Sequence, residues 1–234
     1  MKRQDPDQPA RGQQLEVGML LYPGLTLLDL VGPQTVLSAH SNIHLVSRTR
    51  DMIRTDSGIG IQPTVSLNEC PKDLDVLFVP GGPGMNAVMR DPEILAFLAD
   101  RGARARYVTS VCTGSVILGA AGLLRGYKAT SHWAAAGLLD LFGAEKTDGR
   151  VVIDRNRITG GGVTAGIDFG LVLLAKLRGD AVAKATQLML EYDQQPPFHA
   201  GTPQGAGPEI TQLVRNLIEP MNQEALSIAG QSRP

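Results

Sequence analysis

The chain has 234 residues, 43% of them hydrophobic and 19% charged, with a formal net charge of −1 at neutral pH. Folding at this size buries about 70–75% of the surface that the unfolded chain exposes, enough for one α/β domain with its own core. The balanced charge leaves no electrostatic footprint for nucleic acid or an anionic membrane, and the two cysteines are too few for a disulfide framework.

Residues 1–14 are polar and carry Pro6 and Pro9, so a loose tail is expected there. Without an apolar core that stretch does not read as a signal peptide, and a cytoplasmic protein is expected. Glu16 to Tyr22 reads as the first strand, ended by Pro23-Gly24, and Thr26 to Ala39 as a helix interrupted at Gly32-Pro33. A strand over Ile43–Ser47 follows. Met52 to Ser66 reads as two short strands about Ser57-Gly58, with Pro63 pointing to a sheet edge or flap.

Leu74 to Val79 is a continuous apolar strand that ends in P-G-G-P-G at Pro80–Gly84. A helix from Asp91 to Arg101 comes next, and the basic run Arg101–Arg106 reads as its solvated end. Tyr107–Val111, rich in β-branched residues, reads as a strand, and Ser115–Leu124 as a buried helix. The apolar run Val116–Leu124 is far short of the roughly 20 residues that cross a membrane, so no membrane partner is expected. Further on, a strand is expected near Tyr127–Thr130, a helix over Ala134–Leu141, strands near Val151–Asp154 and Arg157–Thr159, and helices over Thr164–Leu177 and Asp180–Leu190. After a Pro- and Gly-rich loop, Pro196–Pro208, a last helix runs from Glu209 to Glu219. Strands alternating with helices predict a doubly wound α/β sandwich with a mostly parallel sheet, a single domain over 15–220 and a C-terminal tail over 221–234. In such sheets ligands sit at the carboxyl ends of the strands.

Cys112 falls on a strand-to-helix turn with small residues, Ser110 and Gly114, two places to either side. That is the setting of a nucleophile elbow, and a helix start favours thiolate and lowers a thiol pKa. A buried structural cysteine is the alternative. Asp29, an acid among leucines in L-T-L-L-D-L-V-G-P, is either a helix-capping residue or a carboxyl whose pKa burial and a nearby thiolate would raise. Gly81 and Gly82 offer backbone N–H groups for an oxyanion or form a tight turn, and Val163, in the T-G-G-G-V-T-A-G run, is expected to present a backbone amide to the site. His132 in T-S-H-W is the one histidine placed to serve the cysteine. Asp168 is expected to be structural and Cys70 inert. No residues have metal-ligand spacing, so no metal is expected.

The segments V-C-T-G-S-V-I-L-G-A-A-G-L-L-R-G-Y-K-A-T-S-H-W, L-D-L-V-G-P, F-V-P-G-G-P-G and T-G-G-G-V-T-A-G-I-D-F resemble the ThiJ/PfpI superfamily. Within it the likeness is greatest to the isonitrile hydratase family. The resemblance implies a flavodoxin-like, class I glutaminase-like fold and a cofactor-free homodimer that converts isocyanides and water into N-substituted formamides. It also implies that Cys112 is the nucleophile, Asp29 its partner acid and Thr113 the elbow threonine. Protease-like relatives carry a histidine where this chain has Thr113, and aldehyde-handling glyoxalase or deglycase relatives usually carry glutamate where it has Asp29. A glyoxalase/deglycase-like enzyme and a ligand- or redox-sensing module stand as the alternative functions.

Overall fold

The structure is a computed structural model in which residues 14–231 are described. The expected N-terminal tail lies, apart from Gln14, outside the described residues. Strand β1 (Leu15–Leu20) leads to helix α1 (Leu27–Leu37), a 3-10 turn and β2 (Ser41–Ser47). Three two-residue strands follow: β3 (Ile53–Arg54), β4 (Gly60–Ile61) and β5 (Val65–Ser66). The chain continues through β6 (Val76–Val79), α2 (Met85–Met89), α3 (Pro92–Arg104), β7 (Tyr107–Val111), α4 (Gly114–Ala120) and β8 (Lys128–Ala129). After a 3-10 helix (Ala136–Phe142) come β9 (Glu145–Lys146), β10 (Val151–Asp154), β11 (Arg157–Gly160), α5 (Ala165–Arg178), α6 (Asp180–Met189) and α7 (Pro203–Gln231).

Among the described residues the central sheet has seven strands in the order β10-β11-β7-β6-β1-β2-β5. Every neighbouring pair is parallel except β10 and β11, which form a hairpin with Val151 opposite Gly160. Val17, Met19, Val76, Phe78, Val79, Val108 and Val111 are all buried, as expected for strands covered on both faces. Each large apolar side chain removed from water in this way contributes roughly 1.5–3 kcal/mol. The chain moves outward from β1 to β2 and β5, then returns to place β6 on the other side of β1, so the direction of winding reverses between β1 and β6. That reversal opens a crevice at the carboxyl ends of the strands.

Helix α1 is held close to α5 through small residues. A Cβ on Gly166 would lie 3.0 Å from Pro33, and one on Gly170 would lie 3.0 Å from Val36. Asp29 occupies the buried side of α1 with Leu30, Pro33 and Val36. Pro33 sits inside the helix, which runs through it to Leu37. Residues 53–61 form the expected hairpin, and β5 takes the sheet edge after Pro63.

Several boundaries differ from the sequence reading. The expected helix 134–141 is a 3-10 helix, and α4 stops at Ala120, where Gly122 takes a φ of +75°. Short helix α2 and strand β9 were not foreseen; both are brief and make sense only against their tertiary neighbours. The proline-rich loop turns helical at Pro203, broken at Gly207 (φ 80°, ψ 169°). The last helix continues past Glu219 to Gln231, so the C-terminal tail expected from 221 is helical through 231. Its Ala225, Ile228 and Ala229 are buried, Asn222 Nδ2 donates to the Ala134 carbonyl at 2.8 Å, and Asn86 Nδ2 donates to the Met221 carbonyl at 2.9 Å. No described helix is long and apolar enough to cross a membrane.

Candidate active site

Four neighbouring strands, β11, β7, β6 and β1, deliver their carboxyl ends to one place. Cys112 is the residue after β7 and has a φ of +54°, a conformation that costs a side-chain-bearing residue of order 1–3 kcal/mol. The backbone around it is pinned on every side. Its N–H donates to the carbonyls of Gly160 (3.1 Å) and Gly161 (2.7 Å), and its carbonyl accepts from Ser131 Oγ (2.9 Å) and Ser115 Oγ (3.2 Å). The elbow is sharp enough that Gly114 admits no side chain, because a Cβ there would lie 2.1 Å from the Val79 carbonyl oxygen.

The loop after β6 closes over this elbow. A Cβ on Gly81 would lie 2.5 Å from the Thr113 nitrogen and 2.8 Å from the Cys112 Cβ, so bare backbone is required at that contact. The Gly81 N–H donates to Asp29 Oδ2 at 2.9 Å, and the Gly82 N–H donates to Thr113 Oγ1 at 2.9 Å. Gly81 in turn accepts from the Thr26 N–H at 2.9 Å, which zips this loop to the one that leads into α1. The two glycine amides expected to form an oxyanion hole are thus already used, one to hold the acid and one to hold the elbow threonine. Tertiary neighbours satisfied them, and the sequence alone did not name those neighbours.

Asp29 is fully buried and Cys112 is 6% exposed. The carboxyl and the thiol are neighbours near enough for each to shift the other's titration, while the Asp29 Oδ1 atom has no hydrogen-bond partner among the described residues. Burial pushes the Asp29 carboxyl up to about 7; the Gly81 N–H and the thiol pull against that rise, and the charge of Asp56 adds to it. Burial and then the charge of Asp29 push the Cys112 thiol well above its ordinary value, against the pull of the Thr113 N–H and hydroxyl. The expectation of a lowered thiol pKa is therefore overturned. The local field of a seven-residue helix is outweighed by desolvation and by the neighbouring carboxylate.

The remaining candidates fall around this pair. Val163 is half-buried against the core, and its carbonyl accepts from the Gly166 N–H at 3.2 Å. His132 is half-buried and packs over Gly162. Its Nδ1 accepts from the Ala134 N–H at 3.3 Å, its ring leans on Trp133, and burial lowers its pKa. These contacts give it no charge with which to assist the thiol at neutral pH. Asp168 accepts from Arg150 Nε (2.7 Å), Tyr192 Oη (2.9 Å) and Gln194 Nε2 (2.6 Å), and so ties α5 to the chain beyond α6. Cys70 is buried against Gly18 of β1, and burial raises its thiol pKa.

Sequence reasoning missed Tyr22, whose buried hydroxyl donates to the Pro80 carbonyl at 2.9 Å, and Asp56, whose Oδ1 accepts from the Leu27 N–H at 3.2 Å and caps α1 from the flap hairpin. A buried tyrosine before Pro-Gly signals a hydroxyl in need of a partner, but nothing in the sequence ties Asp56 to α1. Among the described residues no group of three or more His, Cys, Asp or Glu side chains could hold a metal ion.

A flavodoxin-like sheet with a strained cysteine elbow and a buried acid beside it defines a cysteine-centred α/β class. The chain belongs to the DJ-1/PfpI family, whose model matches residues 16–176. It is 45% identical over 208 residues to the isonitrile hydratase of Pseudomonas putida, a match that covers 88% of this chain and 91% of that protein. A THiJ/PfpI family protein from Pseudomonas syringae superposes with a TM-score of 0.91 at 50% identity, covering 93% of this chain and 91% of the other. The HTH-type transcriptional regulator GbdR of Pseudomonas aeruginosa is 30% identical across 91% of this chain, which spans 63% of the regulator's length.

Proposed function

We propose that this protein is an isonitrile hydratase, adding water to isocyanides to give N-substituted formamides, with Cys112 as nucleophile and Asp29 as the proton carrier. The observation that carries the reading is the buried Cys112–Asp29 pair, in which the acid is anchored by the Gly81 N–H and has its pKa near neutrality. The similarity to the Pseudomonas putida enzyme supports the substrate class.

Above about pH 7, and below the range where the thiol ionises, the pair holds one proton between sulfur and carboxylate. As sulfur bonds to the terminal isocyanide carbon, that proton passes through Asp29 to the same carbon, giving a thioimidate. The regenerated carboxylate then takes a proton from water. The oxygen adds to the imidate carbon and the proton goes to nitrogen. Collapse breaks the C–S bond, the hydroxyl proton returns through Asp29 to sulfur, and the formamide leaves. Nothing is oxidised or reduced, so the chemistry needs no cofactor.

The apolar side chains left in water, among them Leu188 at 82% and Met189 at 84% exposure after α6 and Phe198 at 76%, support a homodimer as the working unit. The direct test of function is purified protein with simple aryl and alkyl isocyanides, run beside methylglyoxal. Formamide formation that disappears in Cys112→Ala is expected; turnover of methylglyoxal with no action on isocyanides would overturn the proposal in favour of an aldehyde-handling enzyme.

A further inference from the structure

We infer that Tyr22 is a positioning residue for Asp29, acting through the single peptide unit that joins Pro80 to Gly81. That unit is gripped from both ends: its carbonyl accepts the Tyr22 hydroxyl at 2.9 Å, and its N–H donates to Asp29 Oδ2 at 2.9 Å. The inference deepens the hydratase reading and rests on Asp29 being the proton carrier.

Hydrogen bonds in series through a peptide polarise one another, because a carbonyl that accepts more strongly leaves its N–H a better donor. Tyr22 is 1% exposed, so its hydroxyl is shielded from bulk water. Burial, and then the neighbouring charges of Asp29, Cys112 and Asp56, hold the phenol well above its ordinary pKa, so it remains a donor throughout the working range. The groups that act on the Asp29 carboxyl are the Gly81 amide, the Cys112 thiol and the Asp56 carboxylate, with the neutral Tyr22 phenol nearby. The first of these is the one Tyr22 governs. Without the hydroxyl, the buried Pro80 carbonyl loses its partner and the peptide is freer to turn its N–H away from the acid.

The test is a direct titration of Asp29 in the resting protein by carbon NMR of carboxyl-labelled aspartate, the resonance being assigned by its absence in Asp29→Asn. Phenylalanine keeps the ring volume, so Tyr22→Phe is expected to retain the fold. Its Asp29 midpoint should move up from about 7 by about half a pH unit. A second arm has the opposite sign: uniform 3-fluorotyrosine, a stronger donor, should lower the midpoint in the wild-type chain and leave it unmoved in Tyr22→Phe. An unchanged or lowered midpoint in Tyr22→Phe, or a fluorotyrosine effect that persists in that variant, would overturn the inference. A merely structural tyrosine would change the melting temperature and leave the midpoint where it is. The titration uses no isocyanide, so a wild-type protein that fails to hydrate isocyanides would sink the hydratase reading without touching this result.

Discussion

At the scale of single residues the protein gives up stability to bury an acid. Unfolded, Asp29 has an ordinary carboxylate pKa near 4; folded, burial raises it to about 7. Between those values the unfolded chain holds fewer protons than the native one, so stability falls as pH rises from about 4 to 7. Asp29→Asn escapes that penalty. It should be the more stable protein at pH 8 by about 2 kcal/mol or more, and no more stable at pH 4, as read by urea denaturation at the two pH values. The same variant should lose about 100-fold or more in isocyanide turnover, because general acid–base catalysis contributes on that order. Activity of the wild-type enzyme should rise with pH through a midpoint near 7 as the pair drops from two protons to one, a profile read in kcat/KM. Sequence alone pointed to Cys112 and Asp29 because a thiol between small residues and an acid among leucines are each unusual. It misjudged the thiol: the dipole argument is local, whereas the desolvation and the carboxylate that outweigh it arrive only with the fold.

Elements matter here as carriers of backbone rather than of side chains. The loop after β6 touches the elbow after β7 so closely that Gly81→Ala would force the Thr113 nitrogen and the Cys112 Cβ apart from their present positions, where the added Cβ would lie at 2.5 and 2.8 Å. The variant should lose about 1–3 kcal/mol of stability and about 100-fold or more in kcat, whereas Gly58→Ala in the flap, with nothing within 4 Å of its Cβ but a φ of +82°, should lose about 1 kcal/mol through backbone strain and keep its activity. Steady-state kinetics beside thermal denaturation separates the two. Strand β7 was legible to the residue, since Tyr107–Val111 is a short β-branched run bounded by Arg106 and the small residues of the elbow. The 3-10 helix at Ala136–Phe142 was not, because its residues would suit an α-helix equally well and only packing against α4 and α7 decides the tighter winding.

For the molecule as a whole, the reversal of winding between β1 and β6 is what brings an acid from the first crossover to a cysteine many residues later. Alternating strand and helix patterns were enough to foresee that architecture. The extent of α7 was hidden by Pro220, which reads as a helix stop, yet the helix passes through it to Gln231. Truncation after Glu219 would remove buried Ala225, Ile228 and Ala229 together with the Asn222–Ala134 hydrogen bond. That shortened chain should lose at least about 2 kcal/mol, measured as a lower melting temperature. Light scattering coupled to size exclusion checks the proposed homodimer, with twice the chain mass of 24.9 kDa expected. The proposed Cys112 mechanism is read most directly by intact-protein mass spectrometry of the chain quenched in acid during turnover of an aryl isocyanide. It predicts a transient mass increase equal to one isocyanide, mapped to the Cys112 peptide and absent in Cys112→Ser; formamide produced at an undiminished rate by Cys112→Ser, or an adduct confined to Cys70, would contradict it.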